Sequence, residues 1–170
     1  MPDWKRRLVG LGLPCLLALL LDTTLTLRGQ PADYWAGDYA VTTEGGPFFR
    51  PAYALHPRAA VLGHGLWAGL FLTLLVLLPE VPAVVLTIVV TFTHVAGARS
   101  WLTPDWGADP HHLANALFVG AALALGAGLH WVLRHPARGP AASWHVPAEV
   151  RVGLSAVVVG LAYYLLFAAA

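Results

Sequence analysis

Long apolar stretches are the feature of this 170-residue chain that most restricts its fold. Each is close to the roughly 20 residues that a helix needs to cross a bilayer. Backbone N–H and C=O groups in hydrocarbon must be satisfied within the protein, so such stretches form helices. The sequence predicts an all-α membrane protein in a single integral membrane domain, 1–170. The predicted architecture is a five-helix transmembrane bundle, with helices at about 8–27, 57–78, 83–99, 110–133 and 149–168.

Composition places most of the chain in contact with lipid or protein. It is 58% hydrophobic and only 11% charged, against about 25% charged in a typical soluble domain. The net charge of +1 gives no electrostatic basis for binding nucleic acid. The expected partner is the lipid bilayer. The single cysteine, Cys15, cannot form a disulfide within the chain.

Proline and charge mark the expected helix ends. Proline is tolerated at a first helical position, so Pro57 and Pro110 fit helix starts. The stretch from Leu78 to Pro82 holds two prolines and predicts a tight turn between the second and third helices. The first apolar run is longer than the roughly 7–15 residues of a signal peptide, which favours a retained helix.

Basic residues indicate the orientation, because segments on the inner side carry more Lys and Arg. With the N-terminus inside, six basic residues lie inside and four outside, and Lys5-Arg6-Arg7 adjoins the first helix. We expect the N-terminus inside and the C-terminus outside, in a multi-pass protein of a bacterial-type inner membrane. The inner residues are Lys5, Arg6, Arg7, Arg134, Arg138 and Arg151; the outer ones are Arg28, Arg50, Arg58 and Arg99.

The segment 28–56 is then an aromatic-rich outer loop. Tyr and Trp favour the membrane interface, so the simpler interpretation is a loop lying over the helix ends. The alternative is a lid over a cavity, to which Asp33, Asp38 and Glu44 could contribute.

Polar side chains at matched depth are the strongest functional signal. Asp22, His64, His94 and Asn115 lie on four different predicted helices, roughly 5–11 Å below the outer helix ends. An acid near mid-bilayer costs a few kcal/mol, about 2.5–3.5 on insertion scales. The inner half carries few polar side chains. The sequence therefore predicts a shared polar cavity that opens outward rather than a channel through the membrane.

Imidazole and carboxylate suit metal chemistry. Asp22, His64 and His94 could act as acid–base groups or as ligands of a divalent metal such as zinc, with His112 as a fourth ligand. His111 and Asn115 are four residues apart on one helix and are further candidates for the polar site. A metal-bound water could attack a lipid or another membrane-embedded substrate. This set favours a metal-assisted hydrolase at the membrane face.

Three other functions fit the same residues. The first is a non-enzymatic accessory or assembly subunit, whose polar side chains meet other membrane subunits of a larger complex. The second is a b-type haem protein with His64 and His94 as axial ligands. The third is a proton-coupled transporter, which the polar-poor inner half disfavours. Gly120, Gly126 and Gly128 predict close helix packing rather than chemistry.

Overall fold

The structure is a computed structural model that describes residues 3–102 and 110–134. Within these ranges there is no β-strand. A 3-10 turn spans Tyr39–Val41. The α-helices, in chain order, are α1 (Asp3–Arg28), α2 (Ala32–Trp35), α3 (Arg50–Leu55), α4 (Pro57–Leu77), α5 (Glu80–Ser100) and α6 (Pro110–Arg134).

Helices α1, α4, α5 and α6 are each long and apolar enough to span a bilayer. They indicate a multi-pass membrane protein, and the residues that the structure describes contain helices and no strand. The spans correspond to the first four predicted helices. The fifth, at 149–168, lies outside the described residues.

Two helix starts differ from the prediction. Helix α1 begins at Asp3, well before position 8, and contains a π-helical segment at Leu8–Gly12. Helix α5 begins at Glu80, although Pro82 suggested a later start. The N–H groups of a helix's first turn have no partner within the helix, so a proline there costs little. The predicted turn shrinks to Leu78 and Pro79.

Helix α1 packs chiefly along α5. Cys15 lies fully buried between them, where it contacts the carbonyl of Thr87 at 3.5 Å and accepts a hydrogen bond from the Thr91 hydroxyl at 3.6 Å. Glycines bring α1 close to α6, since a Cβ on Gly10 would stand 2.8 Å from the carbonyl oxygen of Gly128. Gly128 serves close packing here, as predicted, whereas a Cβ on Gly120 or Gly126 would meet nothing within 4 Å.

Two arginines of α1 tie together the helix ends near the N-terminus. The Arg6 guanidinium donates to the carbonyl of Val132 at 2.9 Å, at the end of α6. Arg7 donates to the carbonyls of Leu75 and Leu78, at the end of α4. Unpaired carbonyls at a helix end are good acceptors for cations. Asp3 pairs with both arginines, at 2.8 and 2.9 Å.

The segment between α1 and α4 is ordered by its own small core. Tyr34 and Tyr53 are fully buried and pack with Ala60 of α4. The Tyr34 hydroxyl donates to the backbone carbonyl of Tyr53 at 3.1 Å. The predicted loop is thus a folded cap, residues 29–56, over one end of the bundle, and this cap positions the site.

Candidate intramembrane polar site

Asp22 and His94 form a buried pair between α1 and α5. The Nδ1 atom of His94 lies 2.7 Å from Oδ2 of Asp22, and their side chains are only 8% and 14% exposed. Each lies six residues from the end of its helix, roughly 9 Å along the axis. Thr26, one turn beyond Asp22, donates its hydroxyl to Oδ1 at 3.4 Å.

Trp67 of α4 determines the protonation of the His94 ring. Its indole Nε1–H donates to Nε2 of His94 at 3.3 Å. Indole can only donate, so Nε2 must carry a lone pair and the proton lies on Nδ1. That Nδ1–H donates to Asp22. In this arrangement the imidazole is neutral with both ring nitrogens engaged, so it brings no positive charge to Asp22.

His64 of α4 approaches this pair from the second helix. Its ring centroid is 6.4 Å from that of His94. Its Nδ1–H donates to the carbonyl of Ala60 at 3.0 Å, which leaves the lone pair on Nε2. The ring stacks on Phe49 of the cap, with centroids 3.9 Å apart and planes inclined by 13°. The side chain is 6% exposed.

A cavity of about 470 Å³ lies between the cap and the helix ends. It brings two carboxylates together with one imidazole and two aromatic rings, and its lining contains no Lys or Arg. The lining residues are Asp22, Thr43, Glu44, Gly45, Gly46, Phe49, His64, Gly97, Ser100 and Trp101. The volume is in the range of small-molecule sites, about 300–1,000 Å³.

A hydrogen-bonded turn holds Glu44 over this cavity. Gln30, at the end of α1, is buried and accepts from the Thr42 hydroxyl at 3.0 Å and from the Thr43 N–H at 3.1 Å. The Gly46 N–H donates to Oε1 of Glu44 at 2.6 Å. Gln30 in turn donates to the carbonyl of Thr26 at 3.0 Å. The same helical turn thus supports both Asp22 and the cap.

The two carboxylates affect each other. Burial raises the pKa of Glu44 above its ordinary value, the Gly46 N–H lowers it in part, and the negative charge of Asp22 raises it again. Tyr53 lies in the same field: burial first, then the charges of Glu44 and Asp22, raise the pKa of its phenol. The cavity lining therefore holds two acidic side chains close to the Tyr53 phenol.

Gly97 makes room for the buried acid. A Cβ at this position would stand 2.7 Å from Oδ1 and 2.9 Å from Oδ2 of Asp22. Real Cβ atoms do not approach oxygen so closely, so only glycine fits beside the carboxylate in this arrangement.

The structure brings together three of the predicted site residues, Asp22, His64 and His94. Asn115 is exposed on α6 and is not among the residues lining the cavity. His111 and His112 are also exposed, in the first turn of α6, and neither lines it. Asp33 and Asp38 are exposed on the cap, whereas Glu44 does reach the site.

Several site residues had no distinguishing signal in the sequence. Trp67 and Phe49 resemble other aromatics of an apolar helix and an interfacial loop. Gly97 resembles the other glycines of the membrane helices. Only the fold shows that Trp67 fixes the His94 tautomer, that Phe49 stacks on His64 and that Gly97 leaves room for Asp22.

Metal and haem ligation gain no support from this geometry. Among residues 3–102 and 110–134, no group of three or more His, Cys, Asp or Glu side chains is arranged to hold a metal ion. His94 would have to release Trp67 or Asp22 to bind a metal or a haem iron. Both hypotheses stay predictions.

Comparison of the chain with protein-family models, curated protein sequences and solved structures finds no match.

Proposed function

We propose that this protein binds a small polar ligand from the outer aqueous side, in the cavity under the cap. The observation that carries the proposal is the lining of that cavity. Two carboxylates and an imidazole with a spare lone pair surround a space large enough for a small molecule. Buried polar groups of this kind are costly in a membrane protein and are by default a sign of function.

Orientation is part of the proposal. With the N-terminus inside, the cap and the cavity face outward, in a bacterial-type inner membrane. The arginine cluster of α1 then lies at the inner surface, as the positive-inside rule expects.

The chemistry of His94 favours binding over catalysis. A general base or a metal ligand needs a free nitrogen, and both nitrogens of His94 are occupied. His64 has a free Nε2, but no acid or nucleophile pairs with it among the described contacts. The metal-assisted hydrolase therefore stays a prediction without support from the described residues. The accessory-subunit hypothesis has no specific observation in its favour.

A thermal-shift panel tests the proposal. A ligand that binds only the folded state raises the unfolding temperature. We expect at least one small cation, anion or neutral polar solute to stabilise the purified full-length protein. The shift should vanish in Asp22→Asn and persist in Asp33→Asn, which changes an exposed carboxylate instead.

Water access to the cavity provides a second readout that needs no ligand. Ser100 lines the cavity and is exposed. Ser100→Cys should react with a water-soluble thiol reagent, whereas the fully buried Cys15 should not. An unreactive Ser100→Cys, together with no ligand in the panel, would refute the proposal.

A further inference from the structure

We infer that the ligand of this cavity is a protonated amine, held through its N–H groups by Asp22, Glu44 and His64. The inference rests on the proposed function and narrows it to one ligand chemistry. A free small amine and the ammonium headgroup of an aminolipid share that chemistry.

Charge is the first reason. Asp22 and Glu44 both line the cavity, and no Lys or Arg lines it. His94 does not neutralise Asp22, because its Nε2 accepts a hydrogen bond from Trp67 and cannot also carry a proton. The site therefore attracts a positive ligand and repels an anionic one.

Hydrogen bonding is the second reason and is independent of charge. His64 is 94% buried, since only 6% of it is exposed, and it lines the cavity with Nδ1 already spent on Ala60. The remaining nitrogen of the neutral ring accepts, as do Oδ1 and Oδ2 of an ionised Asp22. Such a lining suits a ligand that donates several hydrogen bonds, as an ammonium group does.

The aromatic residues fit the same ligand. Phe49 and Trp101 line the cavity, and aromatic rings attract cations through their electron-rich faces. A divalent metal ion is a poorer match. It requires several converging ligands, and no group of three His, Cys, Asp or Glu among the described residues is arranged to hold one.

Titration of the full-length protein with propylammonium tests the inference. Tetramethylammonium provides the charge without an N–H donor, and propanol provides the size without the charge. We expect propylammonium to bind at least about tenfold more tightly than either, because a buried acceptor left unpaired costs about 1–3 kcal/mol. Equal binding of tetramethylammonium or propanol would overturn the inference.

Variants assign the contacts. Glu44→Gln and His64→Phe should each weaken propylammonium binding by about tenfold, since each removes a buried or charged acceptor. Asp33→Asn on the exposed part of the cap should leave it unchanged. Unchanged affinity in both Glu44→Gln and His64→Phe would contradict the inference even where propylammonium binds.

Lipid nanodiscs distinguish the two sources of the amine. If an aminolipid occupies the site, nanodiscs of phosphatidylethanolamine should weaken propylammonium binding relative to nanodiscs of phosphatidylcholine. Equal binding in both supports a free amine. A different outcome separates this inference from the proposed function. If propylammonium does not bind, but an anion or a neutral solute binds and loses its binding in Asp22→Asn, the inference of an amine ligand fails and the proposed ligand-binding function stands.

Discussion

At position 94 an imidazole uses both ring nitrogens within the protein, one towards Asp22 and one towards Trp67. Such an arrangement orients a carboxylate more than it performs acid–base chemistry. A carboxylate–imidazole pair is often interpreted as a proton-transfer element, and here the indole argues against that interpretation. The group that faces the cavity is the Asp22 carboxylate, with His94 as its positioning residue.

Removal of the indole N–H tests this assignment. Trp67→Phe keeps an aromatic ring but leaves Nε2 of His94 buried without a donor. We expect the free energy of unfolding in detergent to fall by about 1–3 kcal/mol, with little change for Trp35→Phe on the exposed cap. Nitrogen-15 NMR of wild-type His94 should find the proton on Nδ1 alone; a doubly protonated ring would contradict the assignment.

Gly97 provides a steric test of the Asp22 pocket. Gly97→Ala places a methyl group against both carboxylate oxygens, and overpacking of this kind costs about 1–3 kcal/mol. Gly65→Ala is the matched control, because nothing lies within 4 Å of a Cβ there. Alanine is preferred to glycine within a helix by roughly 0.5–1 kcal/mol, so the control should be neutral or more stable. Equal thermal stability of the two variants would refute the pocket.

The Glu44 carboxyl should make stability depend on pH. Its pKa is raised in the folded protein, so between the unfolded and the folded pKa the native state holds a proton that the unfolded chain has released. The contribution of this carboxyl to the free energy of unfolding is fully present below the pKa of Glu44 in the unfolded chain, and it is lost as the pH rises through the pKa of Glu44 in the folded protein. Asp22 and His64 also line the cavity. Comparison with Glu44→Gln isolates the effect of this carboxyl. The free energy of unfolding of the wild type, relative to that of Glu44→Gln, should fall as the pH rises through the folded pKa of Glu44. A difference that does not change with pH would contradict the prediction.

Among the elements, α1 connects the two ends of the bundle. Near the cap it carries Asp22 and Thr26, and Gln30, two residues beyond its end, bonds Thr26 and holds the turn above the site. Near the N-terminus its arginines bond the last carbonyls of α4 and α6. The basic run that indicates orientation in the sequence is therefore also a structural clamp.

Loss of this clamp should be costly. Arg6 is 5% exposed and bonds Asp3 and Val132. Breaking a buried ion pair by removal of one partner typically costs about 3–5 kcal/mol, so Arg6→Ala should unfold far more readily. The exposed neighbour Lys5 is the control, and Lys5→Ala should change stability by less than about 0.5 kcal/mol. Chemical denaturation in mixed micelles would measure both variants, and similar midpoints would contradict the clamp.

On the scale of the whole molecule, and over the residues that the structure describes, the polar cavity lies at one end of the bundle and the arginine clamp at the other. The cavity, the cap and the Asp22–His94 pair lie at one end of the bundle, and the core towards the other end is apolar, built from residues such as Phe71, Leu75 and Leu86. This asymmetry suits a site reached from one side of the membrane and disfavours a continuous path for ions.

The proposed orientation has a direct test. Thr43→Cys is exposed on the cap, so it should react with a membrane-impermeant thiol reagent added to intact cells. Lys5→Cys at the opposite end should react only after the membrane is permeabilised. The reverse pattern would place the N-terminus outside and direct the cavity inward.

The positions of four membrane helices followed from the sequence because a bilayer leaves a long apolar run almost no alternative to helix. The helix starts were less predictable. Helix α5 contains a proline in its first turn, and the charged residues at the start of α1 have partners in the folded chain. The periodicity of a single sequence reveals neither feature. The sequence predicted a loop or lid over the helix ends but not its folded core, because that core forms from Tyr34, Tyr53 and Ala60, which are distant along the chain.

The sequence by itself determined that Asp22, His64 and His94 lie at a common depth, because helix rise converts residue number into depth. Depth in the membrane does not determine the direction in which a side chain points around the helix axis. Asn115 has the right depth but does not line the cavity, whereas Trp67, Gly97 and Glu44 come to the site only in the folded chain. Only the tertiary structure decided which side chains meet, that Trp67 and Asp22 occupy both nitrogens of the His94 ring, and that the cavity lining carries two carboxyl groups and no Lys or Arg.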